Sequence, residues 1–217
     1  MFPRKELIGE LSVKFLGITL DQNLNFHTHI EHVVKKVSTG IFVLRNLAKY
    51  ASSEILLSAY YGMIYPYLSY ALPVWGAENT RTLFLFRVQK KAVRVIFSLA
   101  KQQSCKDTFK SSNILTFPSL YILETLSFVK QNFSLFQGDR FNSSYSLRSR
   151  HSCTIPKHST SFFQRHLPYI GIKLFNCLPI SLRNESDHCA FRRKLRGLLV
   201  QGAYYSVREF MAGGGVV

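Results

Sequence analysis

Residues 13–21 read Val-Lys-Phe-Leu-Gly-Ile-Thr-Leu-Asp, an apolar run rich in β-branched and aromatic side chains. The run is long enough for a strand and short for a helix. Alternation puts Leu16, Ile18 and Leu20 on one face and Val13, Phe15 and Gly17 on the other. Both faces are largely apolar, which predicts a strand covered on both sides. Gly17 offers no side chain for packing and marks a bulge or a close backbone approach. Asp21-Gln22-Asn23 ends the run with turn chemistry. The residues after this turn read as helix. The strand therefore either finds a hairpin partner near the N-terminus or lacks its sheet and leaves apolar surface open to edge pairing.

Beyond it the apolar period switches to that of helices. Ile30, Val33, Val34, Val37, Ile41, Leu44 and Ala48 make one face over Thr28–Lys49. Lys35 and Lys36 lie opposite, Arg45 and Lys49 on the flank, and Gly40 is a soft point in the helix. Ser52 and Ser53 are placed to cap a second helix with Glu54 in its first turn, broken at Pro66. The uncharged stretch Ile55–Ala77 is long enough to span a membrane. Its internal Pro66, Pro73, Gly62 and tyrosines favour a broken, buried helix instead. Arg81–Ala100 predicts a third helix. Arg87, Lys90, Lys91, Arg94 and Lys101 fall on one narrow arc of it, and Leu85, Phe86, Val88, Ala92, Val93, Val95, Ile96, Phe97 and Leu99 make most of the rest apolar. Such a stripe contributes no core volume and presents cations to a phosphate backbone or to water. Pro118 opens a fourth helix with Leu120, Leu123, Leu126, Val129, Phe133 and Phe136 on one side and Gly138 past its end. Arg140–Asn184 holds no acidic residue, and Asn142–Thr160 has the Ser, Arg and His content of a linker or basic arm. Ser186 can cap a last helix built on Phe191, Leu195, Leu198 and Leu199, and the closing glycines read as a frayed end.

In 217 residues, 28 Lys and Arg stand against 12 Asp and Glu, a net charge of +16. That excess points to polyanions: nucleic acid first, an anionic membrane surface second. Four cysteines (Cys105, Cys153, Cys177, Cys189) lack Cys-x-x-Cys spacing, and no apolar leader opens the chain, so free thiols in an intracellular, nuclear or cytoplasmic setting are expected. His151 with Cys153 and His188 with Cys189 do not have the ligand spacing of zinc fingers. Ser, Cys and His are plentiful, but no motif sets them side by side for nucleophilic catalysis.

Four segments, in order, resemble one family. They are Lys-Phe-Leu-Gly (14–17), the block Tyr61, Ile64 or Tyr65, Pro66, Leu68, Tyr70, Ala71, Trp75, Gly76, the helix motif Leu85, Val88, Gln89, Lys91, Ala92, Arg94, Ile96, and Gly-Ile-Lys-Leu-Phe-Asn-Cys-Leu-Pro (171–179). Together they resemble reverse transcriptases of non-LTR, LINE-type, jockey-like retrotransposons in the region after the catalytic palm. The resemblance implies a primer-grip segment over 1–24, a helical thumb over 25–138 and a C-terminal extension, which composition divides into a basic Ser/Arg-rich linker over 139–165, a small C-terminal module over 166–210 and a flexible tail over 211–217. The expected fold is thus mainly α, with a short N-terminal β-strand or hairpin, a thumb-like helical bundle and a small basic C-terminal module. It implies binding of RNA–DNA hybrid or DNA duplex through Lys14, Phe15, Leu16, Gly17, Arg87, Lys90, Lys91 and Arg94, with no membrane partner.

Such a polymerase holds two magnesium ions on palm carboxylates that include an adjacent Asp-Asp pair. No Asp-Asp occurs here; Asp21, Asp107, Asp139 and Asp187 are isolated. Fingers and most of the palm would lie before Met1. The expectation is a fragment with no cofactor or catalytic residue of its own, inactive alone. The alternative is a non-enzymatic, nucleic-acid-binding or vestigial product of a retrotransposon remnant.

Overall fold

A computed structural model describes residues 12–77, 79–136, 155, 163 and 166–213. It is mainly α, with a two-stranded antiparallel hairpin at its start. The hairpin forms within the apolar run itself. Strand β1 (Ser12–Phe15) pairs with β2 (Ile18–Asp21) in the register Val13↔Leu20 and Phe15↔Ile18. The single strand covered on both faces is therefore not what forms. Val13, Phe15 and Leu16 are exposed, and Ile18 is the hairpin residue that reaches the core. Gly17 serves the turn, not a bulge. Asp21 ends β2 and holds the next helix: its carboxylate accepts from the Asn25 N–H at 2.7 Å and the His27 N–H at 3.0 Å.

Helix α1 (His27–Leu47) buries Ile30, Val33, Val37, Ile41 and Leu44, as its periodicity requires. Gly40, read as a soft point, is a contact point. A Cβ there would sit 2.7 Å from Ile64 Cγ1, so only glycine lets the chain at Ile64 come this close. The Ile55–Ala77 stretch divides into α2 (Ser53–Met63), α3 (Tyr65–Ser69) and α4 (Leu72–Trp75), with Pro66 and Pro73 in the first turns of the last two. Among the described residues no helix is long and apolar enough to cross a membrane. Ser52 precedes α2 in an extended conformation, but its side chain makes no capping bond. Helix α5 (Thr80–Ile96) opens on a reciprocal cap between Asn79 and Thr82 and packs along α1. It ends before the expected Ala100, and Ser98 just beyond has a left-handed φ of 52°.

After the short α6 (Lys106–Ser111) comes α7 (Phe117–Gln131), capped by Thr116; the helix expected to run on through Phe136 breaks at Asn132, and Phe133–Phe136 forms a separate short α8. The sequence suggests one apolar face for α7, yet Tyr121, Ile122, Thr125 and Ser127 are buried as well. The reason is that neighbours cover it from several sides: α4, α9 (Leu167–Asn176), α11 (His188–Gly202) and α12 (Val207–Gly213) all pack on it. The segment expected as a small C-terminal module thus shares the core of the helices before it. Arg192 of α11 seals that contact, donating to both Glu124 carboxylate oxygens (2.6 and 3.2 Å) and to Ser127 Oγ at 2.9 Å. Lys130 donates to the Arg183 carbonyl at 2.8 Å beside α10 (Ile180–Arg183). The cap of α11 is Asp187, not Ser186: its carboxylate accepts from the Cys189 and Ala190 N–H groups. Cys105, Cys177 and Cys189 are free thiols.

His29 is buried in α1, its ring set edge-on to Trp75 with centroids 5.2 Å apart, and neither ring nitrogen has a hydrogen-bond partner. Burial, then the neighbouring His32, pushes its pKa below the ordinary value of 6.5. The unfolded chain binds this proton more tightly. The stability that neutral His29 contributes is thus complete above about pH 6.5 and is lost as pH falls through its lower folded value. Urea unfolding between pH 7 and 5 should show stability falling by up to about 1.4 kcal/mol per pH unit. A His29→Leu variant should flatten that slope. An equal slope in the variant would assign the titration elsewhere.

Candidate nucleic-acid interface

The first group of candidate residues, Lys14, Phe15, Leu16 and Gly17, sits at the tip of the hairpin. Both central turn residues have positive φ, 46° at Leu16 and 81° at Gly17, the pattern of a type I′ turn. Gly17 adopts it freely. Leu16 does not: a left-handed φ costs an L-residue roughly 1–2 kcal/mol, and Asn or Asp is the usual occupant. The tip is held from below by Tyr70, whose hydroxyl donates to the Leu16 carbonyl at 2.7 Å and whose ring lies under Gly17. Phe15 and Leu16 meanwhile point their side chains into solvent, 61% and 73% exposed. A strained turn that displays a leucine is a poor way to stabilise a hairpin. Leu16→Asn should therefore raise stability by about 0.5–1 kcal/mol while lowering affinity for any ligand that the tip grips. A denaturation midpoint that falls in the variant would show that Leu16 packs on something in the folded chain.

The second group lies on α5. Arg87 and Lys91 are exposed and carry no ion pair among the described residues. Lys90 and Arg94 are partly committed. The Lys90 ammonium stands 4.8 Å from the centre of the Phe86 ring and 5.1 Å from that of Tyr205. Its pKa is pushed down by burial and then by Arg94. Arg94 donates to the Gln103 carbonyl at 3.1 Å, which ties α5 to the connection after it. Lys106, whose ammonium is 5.7 Å from the centre of the same Tyr205 ring, pairs with Glu209 at 2.8 Å. The stripe is thus not uniformly free of the core. Two of its cations pack and bond, and Lys101 falls outside the helix.

The two groups occupy separate places. The hairpin meets α1 and Tyr70, and an Arg81–Glu31 pair joins the first turn of α5 to the second turn of α1. At 1.5 Å per residue, Arg94 lies about 20 Å farther along α5 than Arg81. Comparisons with protein-family models, with curated proteins and with solved structures found no match.

The isolated carboxylates have local structural work. Asp21 and Asp187 cap helices, and Asp107 sits in the first turn of α6; Asp139 lies outside the described residues. His188 Nε2 is 3.2 Å from the Ser127 carbonyl, and Cys189 is exposed. Among the described residues there is no group of three or more His, Cys, Asp or Glu that could hold a metal ion. His151 and Cys153 lie outside them, as does all of the basic arm except Ile155 and Phe163.

Sequence reading missed two residues. Gln89, matched only as a letter in a motif, is fully buried and is the polar centre of the bundle. Its Nε2 donates to the Tyr60 hydroxyl (3.0 Å) and the Leu115 carbonyl (2.9 Å), and its Oε1 accepts from the Phe117 N–H at 2.8 Å. Tyr70 belonged to a segment read as packing, yet it is half exposed and supports the hairpin tip. A Gln on the apolar side of a helix was the available signal for the first; nothing local signals the second.

Proposed function

We propose that this chain is the post-palm region of a non-LTR retrotransposon reverse transcriptase, and that its own task is to hold a primer–template duplex by its backbone. The observation that carries the reading is the pair Arg87 and Lys91. Both are exposed and free of carboxylates among the described residues, on a helix whose other sides are mostly buried, in a chain of net charge +16. The four ordered sequence resemblances supply the family, and the displayed hairpin tip supports a second grip point. Phosphate neutralisation is sequence-indifferent and steeply salt-dependent.

The choice of variant rests on the packing of Lys90 and Arg94. Arg87→Gln with Lys91→Gln removes the two cations with no fold role. The double variant should bind DNA duplex roughly tenfold more weakly and lower the salt slope by about two, one unit per contact. RNA–DNA hybrid should be held at least as well as DNA duplex. A basic-arm variant over Arg148–Arg165 is the control: a reduced slope there and an unchanged one in the α5 variant would move the site off α5.

The second reading is a non-enzymatic, nucleic-acid-binding or vestigial remnant; the missing Asp-Asp pair fits both readings, since that pair belongs to the palm. Sequencing the coding DNA immediately 5′ of the Met1 codon separates the two. An in-frame Tyr-x-Asp-Asp supports the polymerase; a stop or unrelated sequence supports the remnant.

A further inference from the structure

We infer that the outer face of α1 is a binding surface for single-stranded nucleic acid, with Phe42 as its stacking platform. The inner face of α1 is spent on the core. Opposite it, Lys35 and Phe42 follow one another at a seven-residue step, nearly two turns or about 10 Å, with Lys36 and Arg45 on the flanks and Lys49 in the turn just past the helix end. All four cations are exposed, and none has an ion pair among the described residues. The nearby carboxylates do not compensate them: Glu31 is held by Arg81, and Glu54 lies beyond the helix in the first turn of α2. In the middle of this face Phe42 is 64% exposed, and just past the helix end Tyr50 is 92% exposed. Neither ring packs on another aromatic ring among the described residues.

Cations alone call only for a solvated face. An exposed phenylalanine seated between them calls for a ligand that is anionic and also has a flat apolar surface. Single-stranded nucleic acid has both, since its phosphates meet the lysines and arginine while an unpaired base stacks on the ring. A duplex hides its base faces and would leave Phe42 without a partner. An anionic membrane would need a broad apolar stripe, and on α1 that stripe is already buried. The surface is on a different helix from Arg87 and Lys91 and does not depend on the duplex reading.

Fluorescence anisotropy of the full chain with a labelled oligothymidine of roughly 20 nucleotides tests this. Phe42→Ala, which leaves the melting temperature unchanged, should weaken oligothymidine binding about fivefold or more without altering the salt slope, and Phe42→Trp should restore it. Lys35, Lys36, Arg45 and Lys49 changed together to Gln should lower the single-strand salt slope by about three. Duplex binding should survive Phe42→Ala, and oligothymidine binding should survive the Arg87/Lys91 variant. Unchanged oligothymidine affinity in Phe42→Ala overturns the inference. So does loss of single-strand binding in the Arg87/Lys91 variant, and so does Phe42-dependent binding to phosphatidylserine vesicles with none to the oligonucleotide.

Discussion

Gln89→Leu is expected to cost about 3–5 kcal/mol, a large part of the stability of a chain this size. The substitution roughly keeps volume, so the loss is of hydrogen bonds. It strands the Tyr60 hydroxyl, the Leu115 carbonyl and the Phe117 N–H, all three bonded to Gln89 in the folded chain. Each orphaned buried group costs about 1–3 kcal/mol. Tyr60 is fully buried, and burial raises its pKa, so it cannot escape by ionising. Urea unfolding monitored by the single tryptophan reads the effect. Tyr60→Phe should cost less, about 1 kcal/mol, and the double variant less than the sum, because the second change removes a group the first has stranded. A loss under about 1 kcal/mol for Gln89→Leu would mean that water replaces the amide.

Trp75→Ala should destabilise by about 3–5 kcal/mol, the usual cost of deleting a large buried ring. Trp75 is 1% exposed, its indole N–H donates to the Tyr70 carbonyl at 2.9 Å, and its ring lies against His29 and Phe117. The second readout is acid sensitivity. With the indole gone, water reaches His29 and its pKa climbs back toward the ordinary value. The loss of stability between about pH 6.5 and 5 should shrink along with the total. Trp75→Phe should keep most of the volume and the pH slope. An undiminished slope in Trp75→Ala would show that burial by other residues is what holds His29 neutral.

The amino-acid sequence by itself determined the helical regions and their inward faces. The three- and four-residue spacing of Ile30, Val33, Val37, Ile41 and Leu44, or of Leu85, Ala92 and Ile96, leaves one way to bury those side chains. It determined the breaks at Pro66 and Pro73 as well, since a missing N–H and a fixed φ act locally. It placed cations on the outer sides of α1 and α5. Tertiary structure alone decided the rest, because the deciding contacts join residues far apart in the chain. Residues 13–21 have the composition of one buried strand. They turn at Leu16-Gly17 because Asp21 is claimed by α1 and Tyr70, more than fifty residues on, holds the turn. Lys90 and Arg94 look the same as Arg87 and Lys91 on a helical projection. Only the arrival of Tyr205 and Gln103 ties the first two down and leaves the others to solvent. Gln89 could only be recognised as a hub once Tyr60 of α2 and the stretch Leu115–Phe117 leading into α7 converged on it.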